Sequence, residues 1–370
     1  MSRFVRLCET SSPTGEERAV ADLLREELES LGLEVSEDDA AGPTGAGAGN
    51  LLTRIPGRAR EDGSDPGCVM FCAHIDTVPH SGPIEVVLDD EGVYRSAGNT
   101  ILGADNKAAV AVLVEMAARA VKVAPPIGLE LLFTVAEEQG LLGAKAFDQS
   151  KLESEIGYVL DHATDIGEVI TAAPTHIGIN AEFKGVEAHA GLVPEAGRSA
   201  IAAAARSIAE MKLGRLDSET TANIGLISGG TSGNVIPGHC RVVGEARSVD
   251  PVRVTEVIAE MTDAMVWAAS EAGCEVDITT EKHFTGYRVE DDSKALALAE
   301  AALTAKGQPP VRVTTGGGSD ASVFRERGID CLLLANGTYD NHTHDESVPR
   351  ENLSKMLEIC EEIVQLAGRP

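Results

Sequence analysis

Apolar positions in the first part of the chain recur at helical spacing at Val20, Leu23, Leu24, Leu28 and Leu31. The run from Ser11 to Glu17 reads as a cap and acidic first turn, and Gly32 as a stop, so an amphipathic helix is expected to open the chain. A Gly/Ala/Pro-rich loop, Ala40 to Gly49, precedes a strand at Asn50–Ile55, and a second loop follows over Gly57–Gly67. Continuous aliphatic runs at Val69–Ile75, Leu129–Val135 and Tyr158–Asp161 then predict buried strands. Between them lie a helix over Asn106–Val121 and a helix-like segment over Leu141–Phe147. Short aliphatic strands alternating with helices imply a mainly parallel sheet covered on both faces.

From Ile177 the pattern changes. Strands at Ile177–Lys184, Ala222–Ile227, His239–Ser248 and Glu275–Thr285 share the segment with helices at Ser199–Leu213 and Pro251–Ala272. This is the order of an α+β sandwich with its helices on one face. A helix over Ser293–Lys306, a strand over Cys331–Ala335 and a helix over Glu351–Leu366 return to the first pattern. The expected architecture is an α/β domain in two parts, 1–173 and 286–370, interrupted by an α+β insertion, 174–285.

Charge narrows the partners. The 370 residues carry 31 Lys and Arg against 59 Asp and Glu, a net charge of −28. Backbone-phosphate binding needs the opposite sign, so nucleic acid and anionic membranes are disfavoured. No apolar run reaches the ~18 residues of a membrane span, and the N-terminus turns polar without an export signal. Seven cysteines, an odd number without dense spacing, read as free thiols of a cytoplasmic protein.

The chemistry sits at strand and loop ends. His74-Ile75-Asp76 closes an apolar run, and Asp76, two positions on, can hold the imidazole of His74 so that its other nitrogen faces a metal. Asp105, in Gly103-Ala104-Asp105-Asn106-Lys107, reads alone as a helix cap, or as a carboxylate at the strand-to-helix junction where open α/β sheets place ligands. Glu137-Glu138 ends another buried strand, where one carboxylate can bind metal and the other act as base. Asp161 ends a third, and His342 and His344 follow the strand Cys331–Ala335. His74, Asp105, Glu138, Asp161 and His342 offer oxygen and nitrogen without sulfur, a set suited to zinc, cobalt or manganese.

These residues, with Glu187-Ala188-His189-Ala190-Gly191, Asn234-Val235-Ile236-Pro237 and His342-Thr343-x-x-Glu346, resemble in order the cocatalytic zinc peptidases. That family includes peptidase T, the glutamate carboxypeptidases, acetylornithine deacetylase and succinyl-diaminopimelate desuccinylase. Gly244-Glu245-Ala246-Arg247-Ser248 and Gly316-Gly317-Gly318-Ser319-Asp320 are most similar to the peptidase T-like branch. The resemblance implies two zinc ions, one held by His74, Asp105 and Asp161, the other by Asp105, Glu138 and His342. It implies further that Asp76 orients His74 and that Glu137 takes the proton from a water between the metals. The pattern His-Thr-x-x-Glu selects His342 over His344. His189, on the insertion, would reach the active site of a second subunit and stabilise the oxyanion, which implies a homodimer and makes the insertion a lid and dimerisation domain.

Arg247 is the candidate for a substrate carboxylate, with Asn234 nearby. The Gly316–Gly318 run lacks the Lys-Ser/Thr ending of a phosphate loop. It reads as a tight turn in which Gly317 and Gly318 let backbone approach substrate. The expected activity is a zinc-dependent exopeptidase releasing N-terminal residues from short peptides such as tripeptides. A carboxypeptidase or N-acyl-amino-acid amidohydrolase shares the same machinery. A binding protein that has lost catalysis is disfavoured by Glu137, which is not needed as a ligand.

Overall fold

A computed structural model describes residues 2–60, 63–64 and 66–369, so part of the expected Gly57–Gly67 loop lies outside the described residues. The chain divides into two compact units. The first runs to Thr171 and includes Val289–Thr314 and the chain from Ser319; the second is Ala172–Arg288 with Thr315–Gly318.

The sheet of the first unit runs in the order Val35–Glu37, Leu51–Ile55, Gly128–Thr134, Cys68–His74, Ile156–His162, Asp330–Ala335 and Glu168–Ala173, the last also pairing Val311–Thr314. Gly128–Thr134, Cys68–His74, Ile156–His162 and Asp330–Ala335 are parallel neighbours, while Leu51–Ile55 and Glu168–Ala173 join antiparallel. Every residue of Gly128–Thr134 is buried, which requires cover on both faces and explains its unbroken apolar sequence. The alanine-rich helix Ala104–Lys122 packs on Cys68–His74, and the helix Arg350–Ala367 packs on that helix in turn.

The opening differs from expectation. Ser2–Glu9 is helical, whereas Ser11–Glu17 is not; the second helix starts at Arg18. Tertiary bonds override the cap-like pattern: Ser12 Oγ donates to the Ile75 carbonyl at 2.8 Å, the Thr14 amide donates to the Thr77 carbonyl, and the Thr77 amide donates to the Ser12 carbonyl. Buried Glu17 accepts from the amides of Gly15 and Gly47, tying the segment to the Gly-rich loop.

The second unit holds an antiparallel sheet in the order Gly214–Arg215, Thr220–Gly229, His239–Ser248, Thr175–Lys184, Glu275–Phe284. Ile179, Ala181 and Phe183 alternate with polar neighbours and bury one face, with Cys240, Val242 and Ala246, under the helices Ala200–Glu210 and Pro251–Ala272. Asp250 caps the longer helix by accepting from the amides of Val252 and Arg253, and Pro251 occupies its first turn. No described helix is long and apolar enough to cross a membrane.

Candidate metal centre

The four parallel strands end on one edge of the sheet, and the candidate ligands gather there. His74 closes Cys68–His74 opposite Thr134, the last residue of its neighbour, and Asp161 lies near the end of Ile156–His162. Glu137 and Glu138 follow Thr134 through a turn in which Ala136 takes φ 50°. Asp105 enters from the first turn of Ala104–Lys122, where Asp105 and Asn106 leave helical backbone angles and are joined by a cis peptide. His342 comes from the loop after Asp330–Ala335 with φ 67°, a left-handed conformation uncommon outside glycine and frequent at functional sites.

Asp105 stands between two sets. Its Oδ1 lies 3.2 Å from His74 Nε2, which is also 3.3 Å from Asp161 Oδ1. Its Oδ2 lies 3.1 Å from His342 Nε2, which is 3.0 Å from Glu138 Oε1. Ligand atoms of His74, Glu137 and Asp161, and of His74, Asp105 and Glu138, also fall within 4.8 Å of one another. Asn106 Nδ2 steadies Asp161 at 3.1 Å. His344 instead meets Asn99 at 2.6 Å.

Asp76 does more than expected and something different. The Nδ1 of His74 lies 3.0 Å from the Asp76 carbonyl and 3.5 Å from its carboxylate, so the ring is held chiefly by the main chain. The strand ends at His74, and the Asp76 carboxylate turns to accept from the amides of Glu137 and Glu138, at 3.0 and 3.3 Å, and from Thr14 Oγ1 at 2.7 Å. It thereby fixes the turn that presents both glutamates.

The electrostatics suit a cation. Burial alone would lower His74, yet the charge of Asp161 and hydrogen bonds to Asp105, Asp161 and Asp76 raise it well above the usual imidazole range. Hydrogen bonds to Asp105 and Glu138 bring His342 to about 10. Burial and the Asp161 charge push Glu137 well above the ordinary carboxyl range, and burial takes Asp161 to about 7. Among the described residues, imidazoles rather than Lys or Arg pair with Asp105, Glu138 and Asp161. A surplus of largely buried carboxylate, with two imidazoles and no sulfur, fits a pair of divalent cations sharing Asp105.

The model of peptidase family M20/M25/M40 matches residues 70–366, which include every one of these candidate ligands. The chain belongs to this peptidase family. The Bacillus subtilis (strain 168) protein YqjE, itself uncharacterized, is 36% identical over 374 residues, covering 100% of this chain and 98% of that one. Among solved structures, the aminopeptidase PepT from Bacillus cereus ATCC 10987 superposes with a TM-score of 0.90 at 38% identity, over 100% of this chain and 98% of that one. A tripeptidase from Staphylococcus aureus superposes with 0.94 at 33% identity, with the same coverage. The protein is thus a peptidase T-like metallopeptidase of the M20/M25/M40 family, and its described residues include two groups that could hold a metal ion.

The remaining expected site residues of this peptidase lie in its second unit. His189, in a short strand pairing with Val235–Ile236, and Asn234 are neighbours, joined by a 2.9 Å bond from the Ala190 amide to the Asn234 carbonyl. The His189 ring is exposed. Arg247 grips Glu245 with two nitrogens, at 2.9 and 3.1 Å, and donates to the Gly316 carbonyl at 3.0 Å. His176 meets the same Glu245 at 2.9 Å, and the hydrogen bonds of His176 and Arg247 hold that carboxyl near 2. The guanidinium expected to be open to substrate therefore has an internal partner. Gly318 also has a reason other than the one anticipated: a Cβ there would fall 2.5 Å from the Phe284 ring, whereas one at Gly317 would meet Thr315 Oγ1 at an ordinary contact distance of 3.9 Å.

Sequence reasoning missed two buried acids. Glu346, 1% exposed, accepts from the amides of Leu102, Gly103 and Asp105, each at 2.8 Å. Asp320, also 1% exposed, accepts from Thr134 Oγ1 at 2.5 Å, at the end of the strand that leads to Glu137. Both stand in quoted motifs, but only burial separates them from surface carboxylates.

Proposed function

We propose that this protein is an aminopeptidase that removes the N-terminal residue from tripeptides and similarly short peptides, using two zinc ions, with cobalt or manganese as substitutes. The observation that carries the reading is Asp105, whose two oxygens face two separate imidazole–carboxylate sets, in a chain alike over its whole length to an aminopeptidase and a tripeptidase. One ion is assigned to His74, Asp105 and Asp161, the other to Asp105, Glu138 and His342. Bound there, the ions supply Lewis acidity toward water and the scissile carbonyl.

Glu137 is assigned as the base. Its amide is fixed by Asp76, and among the described residues its side chain has no charged partner within ion-pair distance, which leaves its oxygens available for a proton. It accepts that proton from the attacking water and returns it to the leaving nitrogen. His189 supplies a donor to the oxyanion of the other subunit in a homodimer, and 174–285 acts as the lid and dimerisation domain. Arg247, Asn234, Gly317 and Gly318 bind the substrate, Arg247 through the N–H groups not taken by Glu245 and the Gly316 carbonyl. The seven free cysteines support a reducing compartment, the cytoplasm.

The test is hydrolysis of tripeptides, dipeptides and N-acyl amino acids by chelator-treated protein, with and without zinc, cobalt or manganese. Metal-restored cleavage of tripeptides at the N-terminal bond is expected. Cleavage of N-blocked substrates alone would move the protein to the amidohydrolases and refute the aminopeptidase assignment.

A further inference from the structure

We propose that Glu346 is a positioning residue that presets the shared carboxylate of Asp105 for its two metal ions; this rests on the reading of Asp105 as the bridging ligand. The evidence is the way one loop holds Asp105 from both ends. Tyr339 and Ser347 exchange backbone bonds at 2.9 and 3.0 Å and close the loop between them. From that loop, His342 meets the Asp105 side chain at Oδ2, and Glu346 meets its backbone amide through Oε1. The other oxygen, Oε2, takes the amides of Leu102 and Gly103. Gly103 stands at φ 72°, and its amide and that of Leu102 converge as in the backbone nests that bind anions. Here the anion is the protein's own carboxylate.

The arrangement needs a carboxylate. Three amide donors aimed at two oxygens leave no place for an NH2 group, so Glu346→Gln would set donor against donor at one oxygen and free at least one amide. Asp105 leaves helical angles at this point, so its backbone is not held by helix bonds alone, and Glu346 supplies what the helix does not. With the amide fixed, both Oδ atoms are held toward their imidazoles before any metal arrives. Glu346 touches neither substrate nor metal in this scheme and acts only through Asp105.

The experiment measures Co2+ affinity by chelator competition, together with the visible Co2+ spectrum, for wild type, E346Q, E346D and Asp105→Asn. Loss of an outer partner of a metal ligand weakens affinity by about 10–100-fold. That fall is expected for E346Q with an altered spectrum, partial recovery is expected for E346D, and faster amide exchange is expected at Leu102, Gly103 and Asp105 in E346Q. Wild-type affinity and spectrum in E346Q, alongside weakened binding in Asp105→Asn, would overturn the positioning role and leave the metal centre intact. Wild-type affinity in Asp105→Asn would refute the bridging reading, and the proposal with it. If E346Q does not fold, wild-type exchange decides: slow exchange at the three amides supports the proposal, and open-loop rates there overturn it.

Discussion

At the scale of single residues, the two glutamates that end one strand have different surroundings and should fail differently. Glu138 meets His342, while Glu137 is raised by burial and the Asp161 charge and makes no ion pair among the described residues. Glu137→Gln keeps shape and ligands and removes the proton acceptor, so kcat should fall by about 10²–10⁴-fold with metal content unchanged. Metal analysis beside steady-state kinetics checks this; retained turnover would remove Glu137 from the role of base. The paired histidines give a sharper contrast. His342→Ala should lower the stoichiometry of tightly bound metal, whereas His344→Ala removes only a contact with Asn99 and should leave it unchanged. Equal loss in both variants would put the ligand assignment in error. The candidate cluster was legible in sequence because carboxylates and imidazoles at the ends of apolar runs have no place in a core. The grip of Asp76 on the Glu137 and Glu138 amides was not legible, because main-chain donors leave no trace in side-chain spacing.

At the scale of elements, the strand Gly128–Thr134 reaches the site through a junction locked by one buried amide. Asn50, 1% exposed, accepts from the Val135 amide at 3.1 Å and donates to the Gly143 carbonyl at 3.0 Å and to Asp38 at 2.8 Å. Asn50→Ala leaves a buried donor and a buried acceptor unpaired just before the turn that carries Glu137. It should cost about 2–4 kcal/mol of stability. Urea unfolding checks this, and a midpoint within error of wild type would show that water replaces the side chain without loss. Strands such as Leu129–Val135 were legible because burial on both faces demands unbroken aliphatic sequence. Ser11–Glu17 was misread because Ser, Thr and Glu serve a helix cap and a tertiary clamp equally well. Only the bonds to Ile75 and Thr77 decide between them, and those partners lie more than sixty positions away in the chain.

At the scale of the whole molecule, the proposal makes each active site the product of two chains, and this can be tested without a structure of the dimer. His189 is exposed, and among the described residues its ring meets only the Gly191 amide while its main chain is held by the short strand and the Leu192 and Val193 amides, so no contact of the ring within its own unit accounts for a histidine at that position. If it serves the other subunit, His189→Ala and Glu137→Gln proteins are each nearly inactive for complementary reasons. In a mixed dimer, the subunit that retains Glu137 receives His189 of the partner subunit, and that site works; the opposite site lacks both groups. Random exchange of equal amounts places half of the chains in mixed dimers, each with one working site of two. Activity should then rise to about one quarter of wild type per chain, on a timescale set by subunit exchange. Activity that stays at the average of the two inactive parents, after exchange has been verified by mass-tagged subunits, would show that His189 acts within its own chain or not at all.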